Sequence, residues 1–243
     1  MSDFVKCEAA GPLTTITLNR PDCGNLVSNQ MGAELAAMID AAATSRLIVL
    51  RGAGDDFCLG RDAAALRAAG PFKTALAMRH GNTEPALAVY GAFRRVTVPV
   101  LGIVQGRAIG FGCALAGLCD VTIAGDDAVF ALPEMDHGIP PCLAMSALLG
   151  NVSPKAIMHL VYSTESVDAR HALAIGLVSK VVPRRDLQKE ADAFIAKTLA
   201  RVPAAVPAVK EYMRSAPRME PQAAADFGSN LLAGVLSSAA HVD

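Results

Sequence analysis

A glutamate inside an apolar run is the residue of this sequence best suited to moving protons. Glu134 stands in Phe130-Ala131-Leu132-Pro133-Glu134-Met135-Asp136-His137-Gly138-Ile139-Pro140. A carboxyl group walled by apolar side chains favours its neutral form, so its pKa rises and it can exchange protons near neutrality. Two glycine-bearing segments offer complementary chemistry. One is Phe57-Cys58-Leu59-Gly60-Arg61-Asp62. The other is Gln105-Gly106-Arg107-Ala108-Ile109-Gly110-Phe111-Gly112-Cys113-Ala114-Leu115-Ala116. Each leads from an expected strand into a helix N-terminus, where the first N–H groups have no intrahelical acceptor and the dipole is positive. Two such turns side by side make a two-donor oxyanion hole. Taken singly, each also reads as an ordinary strand-to-helix turn, and Glu134 as a loop residue facing solvent.

The elements that must position these segments alternate along the chain. Residues 13–19 and 46–51 are apolar and β-branched, which predicts strands. Residues 30–43 carry Leu35, Met38 and Ile39 at helical spacing. Short and long helices are expected over 62–69 and 71–94, the latter interrupted near Pro85. Residues 98–105 read as a strand that Pro99 limits to an edge position or a strand start. A helix over 110–118 follows, then strands over 120–124 and 128–131 around the turn Gly125-Asp126-Asp127. Ser153 with Pro154 caps one helix and Asp168 the next, closed by Gly176. A last strand is expected over 177–182, then helices over 186–200, 203–215 and 221–238. The pattern predicts an α/β core over residues 1–185 and a helical C-terminal region over 186–243.

Several familiar α/β chemistries fail on their motifs. Gly52-x-Gly54 and Gly110-x-Gly112 are followed by Phe57 and Leu115 where a dinucleotide fingerprint needs a third glycine. No phosphate-binding G-x-x-x-x-G-K-[ST] loop and no G-x-S-x-G elbow occur. The histidines show no metalloprotease spacing. The six cysteines, at positions 7, 23, 58, 113, 119 and 142, form no C-x-x-C pair and are expected to be reduced thiols; no metal is expected. The 243 residues carry a formal charge of −1, 52% hydrophobic and 5% aromatic residues, and no tryptophan. That composition excludes disorder and argues against nucleic acid or an anionic membrane as partner. The N-terminal segment has no apolar signal core, so a cytoplasmic protein is expected.

Together, in this order and spacing, the motifs resemble the crotonase (enoyl-CoA hydratase/isomerase) superfamily. Ile16-Thr-Leu-Asn-Arg-Pro21 with Asn25-Leu26 is similar to the family's opening. Phe57 to Asp62, Gly106 to Ala124, Phe130 to Ile139 and Ala172-x-x-x-Gly176-Leu177-Val178 continue the match. The resemblance implies a spiral of ββα turns with a helical C-terminal region that builds trimers or hexamers. It implies an acyl-CoA thioester substrate and no cofactor beyond the coenzyme A that the substrate carries. It assigns the oxyanion hole to the backbone N–H groups of Arg61 and Phe111, and places the CoA adenine against the backbone of Cys58 and Leu59. Arg20, Arg61 and Lys210 become candidates for the CoA phosphates, and the helix around residues 75–90 the wall of the acyl pocket.

The sequence departs from the family's pattern at Phe111, where glycine is commoner and the side chain must find room, and from a typical hydratase at one further position. Where the family's hydratases carry a glutamate after the cysteine of the second segment, this chain has Ala114; the second glutamate is retained as Glu134. Holding a water between two carboxylates then lacks one anchor, unless Asp136, His137 or Asp62 replaces it. One carboxylate is enough to move a double bond, taking a proton at C2 and returning it at C4. The expected activity is therefore double-bond isomerisation of an enoyl-CoA, with hydration through a substitute group, or weak turnover in an acyl-CoA-binding homologue, as alternatives.

Overall fold

A computed structural model describes residues 3–68 and 70–238. Ala69, expected to end the second helix, and residues 239–243 of the helical region lie outside them. The elements run β1 (Val5–Ala10), β2 (Leu13–Leu18), α1 (Asn29–Ala41), β3 (Leu47–Gly52), α2 (Ala63–Ala68), α3 (Ala75–Met78), α4 (Glu84–Arg95), β4 (Val100–Val104), β5 (Arg107–Ile109) and α5 (Phe111–Leu118). Then come β6 (Val121–Gly125), β7 (Val129–Ala131), a 3₁₀ turn (Pro133–His137), α6 (Cys142–Leu148), α7 (Pro154–Ser163), β8 (Val167–Asp168), α8 (Ala169–Ala174) and β9 (Lys180–Val182). Three helices close the chain: α9 (Leu187–Leu199), α10 (Ala205–Ser215) and α11 (Pro221–Leu236).

The strands form a six-stranded sheet in the order β1-β2-β3-β4-β6-β9, parallel except for the β1–β2 hairpin, and a small sheet β5-β7-β8. Side chains alternate across the large sheet, as the period of two requires. Ile48 and Leu50 of β3 face the main core with α1, α4 and α5. Leu47 and Val49, with Leu101, Ile103 and Ile123, face Leu187 and Ala191 of α9. Covering both faces explains why the central strands are continuously apolar. It also ties α9 to the core by packing, although its sequence groups it with the C-terminal helices. Among the described residues α10 and α11 bury no residue fully and expose Val209, Met213, Leu232 and Leu236. No described helix is long and apolar enough to cross a membrane.

Pro99 precedes β4, which lies between β3 and β6, so it marks a strand start and not an edge. The helix expected over 71–94 begins at Ala75 and is interrupted near Pro85, as expected, by a π turn at Arg79–Thr83, with Pro85 in the first turn of α4. Pro85 has no N–H to donate to the Gly81 carbonyl four residues back, and the Asn29 side chain donates to that carbonyl instead, at 2.7 Å. The expected strand over 177–182 shortens to β9, because Leu177 and Val178 are buried in the loop before it.

Candidate active site

Strand pairing brings the three chemical segments together. The parallel pairing of β5 and β7 sets Ile109 opposite Ala131, and the Gly110 N–H donates to the Ala131 carbonyl at 2.9 Å. The next residues of each chain are therefore neighbours: Phe111 opens α5, and Glu134 sits in the 3₁₀ turn. On the other side of β5, Cys58 forms a bridge to Ala108, with its N–H on the Arg107 carbonyl and its carbonyl receiving the Ile109 N–H. This lays the Gly60-Arg61 turn against the Gly110-Phe111 turn.

Two glycines permit that approach. Gly60 has φ 110° and Gly110 φ 54°, values that residues with a side chain rarely adopt. A Cβ on Gly60 would lie 3.2 Å from the Ile109 carbonyl oxygen and 3.9 Å from the Phe111 nitrogen. Among the described residues the N–H groups of Arg61 and Phe111 donate to no acceptor. They are the two free donors that an oxyanion hole requires. The Phe111 ring does not obstruct them: it is buried and stacks on Tyr90, with centroids 5.5 Å apart.

Glu134 faces the same turn. A Cβ on Gly110 would meet Glu134 Oε1 at 2.8 Å, so glycine there makes room for the carboxylate. Glu134 Oε2 is buried and has no hydrogen-bond partner among the described residues. Burial pushes the Glu134 carboxyl above the usual range, opposed by its own backbone N–H and by the charge of His137. Burial dominates Cys113 too, whose thiol is pushed up to about 12, with the Glu134 charge adding to it. Tyr90 is fully buried, and burial raises its phenol; the Glu134 charge raises it further while Arg61 lowers it. Ala114 is fully buried and one helical turn below Gly110, with its N–H on the Gly110 carbonyl at 3.0 Å.

The other sequence candidates are placed as follows. Asp136 and His137 are exposed, and Asp136 accepts from the Thr164 hydroxyl at 2.9 Å, so Asp136 is not gathered beside Glu134. Asp62 caps α2 through the Ala65 N–H and pairs with Arg20 at 2.9 Å, so its carboxylate is used structurally. Arg20, Ser28, Asn29, Gln30 and Asp62 line a cavity of about 390 Å³ beside the site. The backbone of Cys58 is already spent on Arg107 and Ile109, and the Leu59 N–H on the Gly24 carbonyl, which leaves the Leu59 carbonyl as the free acceptor of that segment. Lys210, a candidate for the phosphates, has its ammonium on Asp120 at 2.7 Å and on the Val98 carbonyl at 2.9 Å, tying α10 to the core.

Two contributors were not legible beforehand. Tyr90 fell in a segment read only as pocket wall. Asn25 was noticed only as part of an opening motif, yet it is wholly buried and builds the loop before Cys58. Its amide donates to the carbonyls of Ala53, Asp56 and Phe57 and its Oδ1 accepts the Arg20 N–H. Its φ of 57° lies where asparagine is tolerated and alanine is not. Asn25→Ala is expected to cost about 3–5 kcal/mol by stranding these groups, measured as a shifted denaturant midpoint.

Comparison with known proteins agrees with this geometry. The enoyl-CoA hydratase/isomerase family model matches residues 8–241. The chain belongs to the enoyl-CoA hydratase/isomerase family. It is 34% identical to the 2,3-dehydroadipyl-CoA hydratase of Escherichia coli over 213 residues, 86% of this chain and 80% of that relative. A crystal structure of an enoyl-CoA hydratase from Mycobacterium smegmatis superposes with a TM-score of 0.92 at 27% identity, covering 99% of this chain and 94% of the other. A putative enoyl-CoA hydratase from Thermobifida fusca, solved in complex with CoA, superposes with a TM-score of 0.87 at 27% identity, over 96% and 93% of the two chains. The family member described here thus has the crotonase-type mixed α/β fold with a helical C-terminal region, and is an acyl-CoA enzyme.

Proposed function

We propose that this family member shifts the double bond of an enoyl-CoA, with Glu134 as its only catalytic carboxylate. The observation that carries the reading is the pairing of an unpartnered, buried Glu134 Oε2 with an alanine at position 114. The thioester oxygen of a 3-enoyl-CoA accepts from the N–H groups of Arg61 and Phe111. Glu134 then removes a proton from C2. The electron pair spreads over C2 to C4 and the carbonyl as a dienolate, and the glutamic acid returns the proton at C4, giving the conjugated 2-enoyl-CoA. The two N–H groups bind the oxygen most strongly when it is negative, which is where they lower the barrier. CoA itself lies along the segment of Cys58 and Leu59 and the cavity lined by Arg20.

Hydration is the second reading, favoured by the names of the relatives. The two separate in one assay. Isomerisation of hex-3-enoyl-CoA is expected to exceed hydration of crotonyl-CoA by at least ~10²-fold in kcat/KM, the low end of what one acid/base group contributes. Faster hydration overturns the reading in favour of a water held by Glu134 and a second group. The assembly is proposed to be a trimer or hexamer through the apolar side chains that α10 and α11 expose. Light scattering at micromolar concentration is expected to give a multiple of three chains, and a monomer mass contradicts it.

A further inference from the structure

The side chain of Arg61, a candidate for the CoA phosphates on the resemblance, is placed differently from that of Arg20: it lies beside the turn whose Arg61 N–H is proposed for the oxyanion hole. Arg61 is half-buried; its guanidinium carries five N–H donors and uses Nη2 on Asn29 Oδ1 at 2.5 Å. Nε is buried and has no partner. No carboxylate among the described residues lies within 4.0 Å of it, whereas Arg107, well exposed, still pairs with Asp56 at 2.7 Å. Burial lowers the Arg61 pKa, and the Tyr90 phenol opposes that. A buried cation without a counter-charge is among the costlier arrangements in a protein.

The geometry says where a counter-charge would enter. The guanidinium carbon stands 5.5 Å from the centre of the Phe111 ring, which itself stacks on Tyr90. Gly110, whose missing Cβ makes room for Glu134 Oε1, directly precedes Phe111, so the cation and the catalytic carboxylate both border the Gly110-Phe111 turn. Asn29, whose own amide donates to the Gly81 carbonyl, holds the guanidinium against the Arg79–Thr83 turn on one side of that wall. A CoA pyrophosphate is large and strongly hydrated, and suits the open cavity around Arg20. A single planar carboxylate on an acyl chain has the size and fork geometry for a guanidinium enclosed beside the reacting carbons.

Resting on the acyl-CoA reading above, we infer that Arg61 is a specificity-determining residue: its side chain receives a carboxylate borne by the acyl chain, so the substrate is the CoA monothioester of an unsaturated dicarboxylic acid. Such a site favours the acid and rejects the uncharged analogue, because that analogue leaves the guanidinium unpaired.

The test compares matched ligands in the assembled protein. Calorimetry with the saturated pair adipyl-CoA and hexanoyl-CoA is expected to show tighter binding of adipyl-CoA by ~10²-fold, as charge-assisted pairs in desolvated sites give. Turnover of hex-3-enedioyl-CoA against hex-3-enoyl-CoA is expected to show at least the same ratio in kcat/KM. Arg61→Gln collapses both ratios towards one, and R61K restores part of each. Ratios are the readout because any disturbance of the neighbouring oxyanion donor affects both ligands alike. Equal affinities in the unmodified protein overturn the inference. So does an equal loss for both ligands in Arg61→Gln, which assigns the guanidinium to CoA or to the fold. Failure of both thioesters to bind overturns the acyl-CoA reading itself, and is distinguished by the absence of any CoA-ester affinity.

Discussion

Glu134→Gln is expected to lower enoyl-CoA turnover by ~10²–10⁴-fold while leaving the affinity for a saturated acyl-CoA nearly unchanged. The amide keeps the shape of the side chain beside Gly110 but cannot accept the C2 proton. The substrate is still held by the N–H groups of Arg61 and Phe111 and by its CoA moiety, so the loss falls on the transition state. A second measurement separates this from simple damage. The native carboxyl of Glu134 titrates above its unfolded value because burial penalises its charged form. Its folded pKa being raised, the protonated form favours folding below that pKa. This contribution is lost as pH rises through the raised value, and the folded protein then carries the cost of a buried anion. Glutamine does not ionise. The melting temperature of the variant is therefore expected to gain on the unmodified protein as pH rises from 5 to 8, while activity falls. A variant that loses stability equally at both pH values would show that Glu134 serves the fold. Retained turnover would move the base to another group.

Most of the α/β frame was legible because burial on both faces leaves a plain signal. The strands β2, β3 and β4 are apolar and β-branched and ended within one or two residues of their expected limits. The strand β1 went unread because only Val5 is buried in it and the rest faces solvent without alternation; it is held by its hairpin partner. The helix α6 follows Pro140-Pro141, which reads as loop, and rests on tertiary packing of Ala144, Ala147 and Leu148. In the site, Glu134 and the two free N–H groups followed from local motifs. What Asn25, Tyr90 and the Arg61 side chain do could not be read, since each depends on partners 28 residues or more away in the chain or on another helix. Ala114 illustrates the complementary case. Its identity was visible at once, but whether another group stands in for the missing carboxylate depended on where the Pro133–His137 turn directs Asp136 and His137.

Ala114→Glu is expected to raise crotonyl-CoA hydration by ~10-fold or more, approaching the contribution of a well-placed acid/base group. The argument is helical geometry. Positions four apart lie on one face, and Gly110 is the residue whose missing Cβ makes room for Glu134 Oε1. A side chain at 114 therefore starts from the turn directly below that carboxylate, where a water between the two groups can be held and aimed. The substitution has two opposing effects. Ala114 is fully buried, so the longer side chain must displace neighbours, and overpacking of this kind costs ~1–3 kcal/mol. Two carboxyls sharing one site also resist joint ionisation, so one of them stays protonated to higher pH. Hydration needs one acid and one base, so the coupled pair suits the reaction even though it weakens the fold. The expected profile of kcat/KM against pH is a bell in the variant, where the unmodified protein shows only the rise due to Glu134. The isomerisation to hydration ratio should fall at the same time, since admitting a bound water removes the exclusion that lets one carboxylate return its proton at C4. A folded Ala114→Glu protein that hydrates no faster, or an unmodified protein that already shows the bell, would place a second acid/base group in the site.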